Sequence, residues 1–133
     1  MSPFHFGLIL RAKLEFEDKT SRNKFLIVLG EDVRAKDILF FITTSRVEKI
    51  PIYGPSQGNV IYIRAGEIVS FTHDTVIDCR TVYKRTRKWF DGLHNKSLLT
   101  EHGDIPKETH DRIKQVVFNS AFISQSDRKI ILA

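Results

Sequence analysis

The first 85 residues carry five or six short β-type runs in succession, leaving no stretch for an intervening helix. Residues 8 to 16 alternate, with Leu8, Leu10, Ala12, Leu14 and Phe16 on one side and Ile9, Arg11, Lys13 and Glu15 on the other. Such a period of two marks a half-buried strand, because successive side chains leave opposite faces of a pleated backbone. After the polar loop EDKTSRN, the run KFLIVLG reads as a nearly all-apolar strand that stops at Gly30. EDVRAKD is a loop or a single helical turn, and ILFFITT is a strand buried on both faces by its composition. Proline and glycine make PIYGPSQGN a connection. NVIYIRAGEIVSF gives a strand, a turn at Ala65-Gly66-Glu67 and a short continuation. DTVIDCRTVYKRT alternates again, with Val76 and Val82 toward the core. Short strands at this spacing predict a small antiparallel barrel or sandwich.

The pattern changes after Trp89. Pro106 stands at a helix start, with Lys107 and Glu108 in the first turn. Ile113, Val116, Val117 and Ala121 then form one apolar stripe. The chain is expected to be mainly β (α+β) and a single domain over 1–133. Its barrel covers 1–88, a connection with room for a short helix 89–105, and a C-terminal helix 106–122. The tail at 123–133 is expected to be a final strand or a docking arm.

Hydrophobic residues make up 41% of the chain and charged residues 28%, the balance of an ordinary soluble globule. No apolar run approaches the roughly 18 residues that a membrane helix needs. The start of the chain lacks a basic leader followed by a long apolar segment, so a cytoplasmic protein with no membrane association is expected. One cysteine, Cys79, excludes an internal disulfide and a cysteine-built zinc site.

The net charge of +5 has a specific location. Residues 80 to 88 hold Arg80, Lys84, Arg85, Arg87 and Lys88 and no acid. Removing these five from the 21 basic residues leaves 16, which equals the 16 acids elsewhere. A local stripe of this kind suits a polyanionic partner or a solvated edge strand.

Gly54 to Gly58 match the G-x-S-x-G pattern of a nucleophile elbow, but a strand follows where that motif needs a helix. The five histidines are scattered without metal-ligand spacing, so no metal or cofactor is expected. His5, between Phe4 and Phe6, is a candidate acid or base at the start of the first strand. Arg22 and Lys24 stand at the entrance to the second strand, and the third ends in Thr43, Thr44, Ser45 and Arg46. If the two strand ends meet, guanidinium and hydroxyl groups converge in a way that suits a phosphate.

These residues also carry a resemblance. Gly7-Leu8-Ile9-Leu10, Lys24-Phe25-Leu26-Ile27-Val28, Ile42-Thr43, Thr75-Val76-Ile77 and Arg80-Thr81-Val82 follow one another as in a known family. With the C-terminal helix, they make the chain resemble the MazF/PemK endoribonucleases of type II toxin–antitoxin systems. Lys24 stands where that family has arginine, Phe25 where it has proline, and the segment before the helix is longer. The resemblance implies an SH3-like barrel that forms a homodimer, cleaves single-stranded RNA without metal and is neutralised by an antitoxin. It further implies Thr43 with Arg22 or Lys24 at the scissile phosphate, and Thr44, Ser45 and Arg46 in support. The basic stripe, with Tyr83 and Trp89, is expected to guide RNA. The competing expectation is a non-enzymatic SH3-like module that binds nucleic acid or protein.

Overall fold

The computed structural model describes residues 4–15, 21–46 and 58–133. They form β1 (Leu8–Glu15), β2 (Ser21–Asp32), β3 (Asp37–Thr44), β4 (Val60–Ile63), β5 (Thr75–Thr86), α1 (Arg87–Asn95), β6 (Leu99–Asp104), α2 (Lys107–Asn119) and α3 (Gln125–Ile131). The six strands make one antiparallel sheet in the order β4-β5-β3-β2-β1-β6. The result is a mainly β, barrel-like α+β fold.

Both sheet faces are buried, and the pleat decides which residue enters which core. Leu10 pairs with Leu26 and Ala12 with Lys24, whereas Ile9 pairs with Ile27 and Arg11 with Phe25. The even positions of β1 and β2 therefore share one face, which packs beneath Phe90 of α1 together with Phe40 and Leu99. The odd positions share the other, where Ile27, Phe41 and Ile77 meet Ile113 and Val117 of α2 and Ile131 of α3. Burying one such side chain contributes about 1.5–3 kcal/mol, so the two layers together hold the sheet between the helices.

β3 has the two-sided burial that its composition predicts, because it lies between β2 and β5. β2 does not stop at Gly30. It continues to Asp32 across a register shift between Val28 and Gly30, where a bulge absorbs the break and keeps the ladder going. The Asp32 carboxylate accepts the backbone N–H groups of Arg34 and Ala35, which makes EDVRAKD a turn. β5 is irregular too: Phe40 faces Tyr83 but Ile42 faces Asp78, so extra residues loop out around Cys79 to Val82. The expected continuation after Ala65-Gly66-Glu67 is only an isolated bridge between Ala65 and Ile68.

The C-terminal third departs most from the expected boundaries. The connection at 89–105 holds most of α1, which starts at Arg87, capped by the Thr86 hydroxyl accepting from Trp89 N–H. It also holds β6, which extends the sheet past the expected barrel limit at 88 by pairing with β1. Only Leu99 of β6 is buried, so no alternation announces this strand. α2 ends at Asn119, and the Ala121 of the expected stripe lies beyond it, exposed. The tail is a helix and not a strand, and it docks on the core: Ser124 accepts from Asp127 N–H, and Ile123 and Ile131 are buried. Of the Gly54–Gly58 segment, only Gly58 lies within the described residues.

Candidate functional site

The end of the sheet where β1, β2 and β3 meet carries a cavity of about 190 Å³. Arg11, Asn23, Phe25, Thr43, Ser45 and His73 line it. Its inner wall is apolar, with the buried Phe71 against Phe25, ring centroids 5.0 Å apart. Arg11, Asn23, Ser45 and His73 are exposed around the mouth. This is smaller than the roughly 300–1,000 Å³ of drug-sized pockets and suits one phosphodiester unit better than a large cofactor.

Thr43 is 3% exposed, and its Oγ1 donates to the carbonyl of Phe25 at 3.0 Å. The hydroxyl proton is thereby committed to β2, leaving only lone pairs to the cavity. Thr44 ends β3, its Oγ1 accepting from Arg46 N–H at 3.1 Å. Ser45 lines the cavity mouth.

The expected cations project from the other face of β2, with Lys24 at the border of the cavity. Arg22 pairs across the ladder with Leu14 and Lys24 with Ala12, both on the α1 face. Thr43 belongs to the opposite face, since Phe41 on that side pairs with Ile27. Lys24 borders the cavity, but the pleat directs its side chain to the other side. There, burial and then the positive charges of Arg22 and Arg46 hold its ammonium below the usual lysine range. Among the described lining residues the cation on the face of Thr43 is Arg11, whose guanidinium carbon lies 6.0 Å from the centre of the Phe25 ring. Sequence reading passed over it as an outward residue of β1. No local signal marks it, because its relation to Thr43 runs through two ladder registers. Asn23 was missed for the same reason, and His73, one of the scattered histidines without metal-ligand spacing, reaches the cavity from the loop between β4 and β5.

The basic stripe is largely engaged within the chain. Arg80 clasps Asp78 through Nε and Nη2 at 2.9 and 2.8 Å. Lys84 Nζ lies 2.7 Å from the Asp127 carboxylate, tying β5 to α3. Arg87 donates to both carboxylate oxygens of Glu31 at 2.8 and 2.9 Å. Arg85 stands 5.6 Å from the Trp89 ring centre. Tyr83 stacks on Phe40 and Trp89 meets Phe90 edge-on, so both half-buried aromatics pack against the core beneath α1. Lys88 is exposed at the start of α1. Lys84, Arg85, Arg87 and Lys88 nonetheless remain exposed.

His5 pairs with the Asp104 carboxylate, away from the cavity. Cys79 is buried, and desolvation, with the Asp78 charge adding to it, pushes its thiol far above the usual range. Among the described residues no cluster of His, Cys, Asp and Glu has the makings of a metal site. No described helix is long and apolar enough to cross a membrane. Comparison of the sequence with protein-family models and with curated proteins returned no match.

Proposed function

We propose that the chain is an endoribonuclease of the MazF/PemK toxin kind, cleaving single-stranded RNA through the 2′-hydroxyl without a metal requirement. The observation that carries this is Arg11 and Thr43 on one sheet face, lining one phosphate-sized cavity. Cleavage needs positive charge at the phosphorane, and the Arg11 guanidinium supplies it in a fixed planar fork. Thr43 acts as a positioning residue, holding Phe25 and with it the ring beside which Arg11 stands. On the other face, Arg22, Lys24 and Arg46 form a like-charged group that a polyanionic chain relieves. This replaces Arg22 and Lys24 with Arg11 at the scissile phosphate and leaves them the role of attracting RNA. The proposal extends to a cytoplasmic homodimer restrained by an antitoxin, on the resemblance of the sequence alone.

One observation favours a second reading, a non-enzymatic single-stranded RNA-binding module. The Thr43 proton is occupied by Phe25, so the cavity has fewer free donors than phosphoryl transfer commonly uses. Incubating the pure protein with unstructured single-stranded RNA in excess chelator separates the two. Fragments ending in a 2′,3′-cyclic phosphate are the expected result. Salt-sensitive binding without cleavage by the folded protein supports the module instead.

A further inference from the structure

Resting on the endoribonuclease reading, the geometry points to His73 as the residue that accepts the 2′-hydroxyl proton. His73 lies in the loop between β4 and β5 and lines the same cavity as Arg11 and Thr43. His73 is exposed at the mouth, and two hydrogen bonds hold the chain at and just after it. The buried Thr75 donates its hydroxyl to the His73 carbonyl at 2.9 Å. The neighbouring Asp74 carboxylate accepts Ala65 N–H at 2.8 Å. A proton acceptor must be placed rather than merely present, and these two bonds fix where the ring starts.

The remaining lining residues leave little competition. Asn23, Ser45, Thr72 and Thr75 are neutral, and Phe25 and Phe71 have no proton to exchange. Arg11 stays protonated throughout the accessible pH range, and the side chain of Lys24 leaves on the other face. No carboxylate is among the lining residues described. Among the described lining residues the charged group facing His73 is therefore Arg11 of β1, while Lys24 borders the cavity with its side chain on the other face and Asp74 is turned to Ala65. Imidazole alone among these groups ordinarily exchanges a proton near neutrality.

In the step assigned, neutral His73 takes the proton of the 2′-hydroxyl. The freed oxygen pair forms the bond to phosphorus, and the bond from phosphorus to the 5′ oxygen breaks. That oxygen keeps the electron pair and takes a proton from water at the open mouth, and the hydroxide left behind recovers the proton held by His73. The products are a 2′,3′-cyclic phosphate and a 5′-hydroxyl, with Arg11 facing the charge that builds on the non-bridging oxygens.

The test uses the full chain, unstructured single-stranded RNA, and its 2′-O-methylated counterpart as a binding probe without a nucleophile. His73→Ala is expected to slow single-turnover cleavage at saturation by about 100-fold or more. The acidic limb of the pH–rate profile is expected to disappear with it, and added imidazole to restore part of the rate. Affinity for the 2′-O-methylated probe is expected to stay within about twofold. Cleavage by His73→Ala within about threefold of wild type overturns the assignment. So does a loss of rate matched by an equal loss of probe affinity, which indicates a binding role alone. Probe binding by wild type without any cleavage removes the endoribonuclease reading itself, and the role of His73 with it.

Discussion

The hydroxyl of Thr43 donates to the carbonyl of Phe25 at 3.0 Å, joining the end of β3 to the start of β2 from inside the cavity wall. A threonine that sequence resemblance places at a scissile phosphate is thus already spent on the frame. Thr43→Val keeps the volume and removes the bond, and is expected to cost about 1 kcal/mol in a denaturant unfolding experiment. Thr43→Ser keeps the donor and is expected to retain most of the stability and activity. Equal stability for the valine and serine variants would show that the bond contributes nothing.

Arg11 and Lys24 stand near each other along the β1–β2 ladder yet on opposite faces, because Arg11 pairs with Phe25 and Lys24 with Ala12. Arg11→Ala is expected to lower the saturated cleavage rate by about 100-fold, the effect of removing one donor at developing charge. Replacing Arg22, Lys24 and Arg46 together by Ala is expected to act mainly on KM and to flatten the salt dependence of RNA binding. Steady-state kinetics at several salt concentrations distinguish the two. The reverse pattern would return the phosphate site to Lys24.

Arg80, within the irregular stretch of β5, pairs with Asp78 at its start, and this pairing carries a pH signature. Burial pushes the Asp78 carboxyl up, but the hydrogen bonds and charge of Arg80 outweigh this and hold it below the usual carboxylate range. A folded-state pKa below the unfolded value adds stability above the ordinary aspartate pKa, about 3.9. That stability is lost as pH falls from there through the lower folded value. Asp78→Asn is expected to be less stable than wild type at neutral pH, with the gap closing over this acidic window. Urea midpoints measured from pH 6 downward check this, and a constant gap would count against it.

Cys79 is fully buried on the face covered by α2 and α3, with its thiol proton held tightly by desolvation. Thiolate is the reacting form, so a thiol reagent is expected to label the native protein slowly and the urea-unfolded protein at the rate of a free cysteine. Mass spectrometry after timed labelling measures both rates. Rapid native labelling would mean that β5 opens locally near its irregular stretch.

Local pattern made much of the fold legible. The alternation of Leu8 to Glu15 gave β1, the two-sided composition of Ile38 to Ile42 gave a central strand, and Pro106 with Ile113 and Val117 gave α2. β6 and α3 were not legible as such. β6 buries one residue and exists because β1 offers an edge. α3 is seven residues long, too short for a stripe to stand out from a tail, and is held by Ser124, Ile131 and the pairing of Asp127 with Lys84.

For the site, the sequence by itself determined that hydroxyls end β3 and that cations crowd the start of β2. Only the tertiary structure decided which of them meet. A strand shows its neighbours to alternate faces, so a one-residue change in the β2–β3 register exchanges Arg11 for Lys24 beside Thr43, and one in the β1–β2 register removes Arg11 from it. The same holds for the stripe at 80 to 88, whose charge is plain in the sequence. Its engagement by Glu31 and Asp127, residues far away along the chain, arises only when β2 and α3 fold against it.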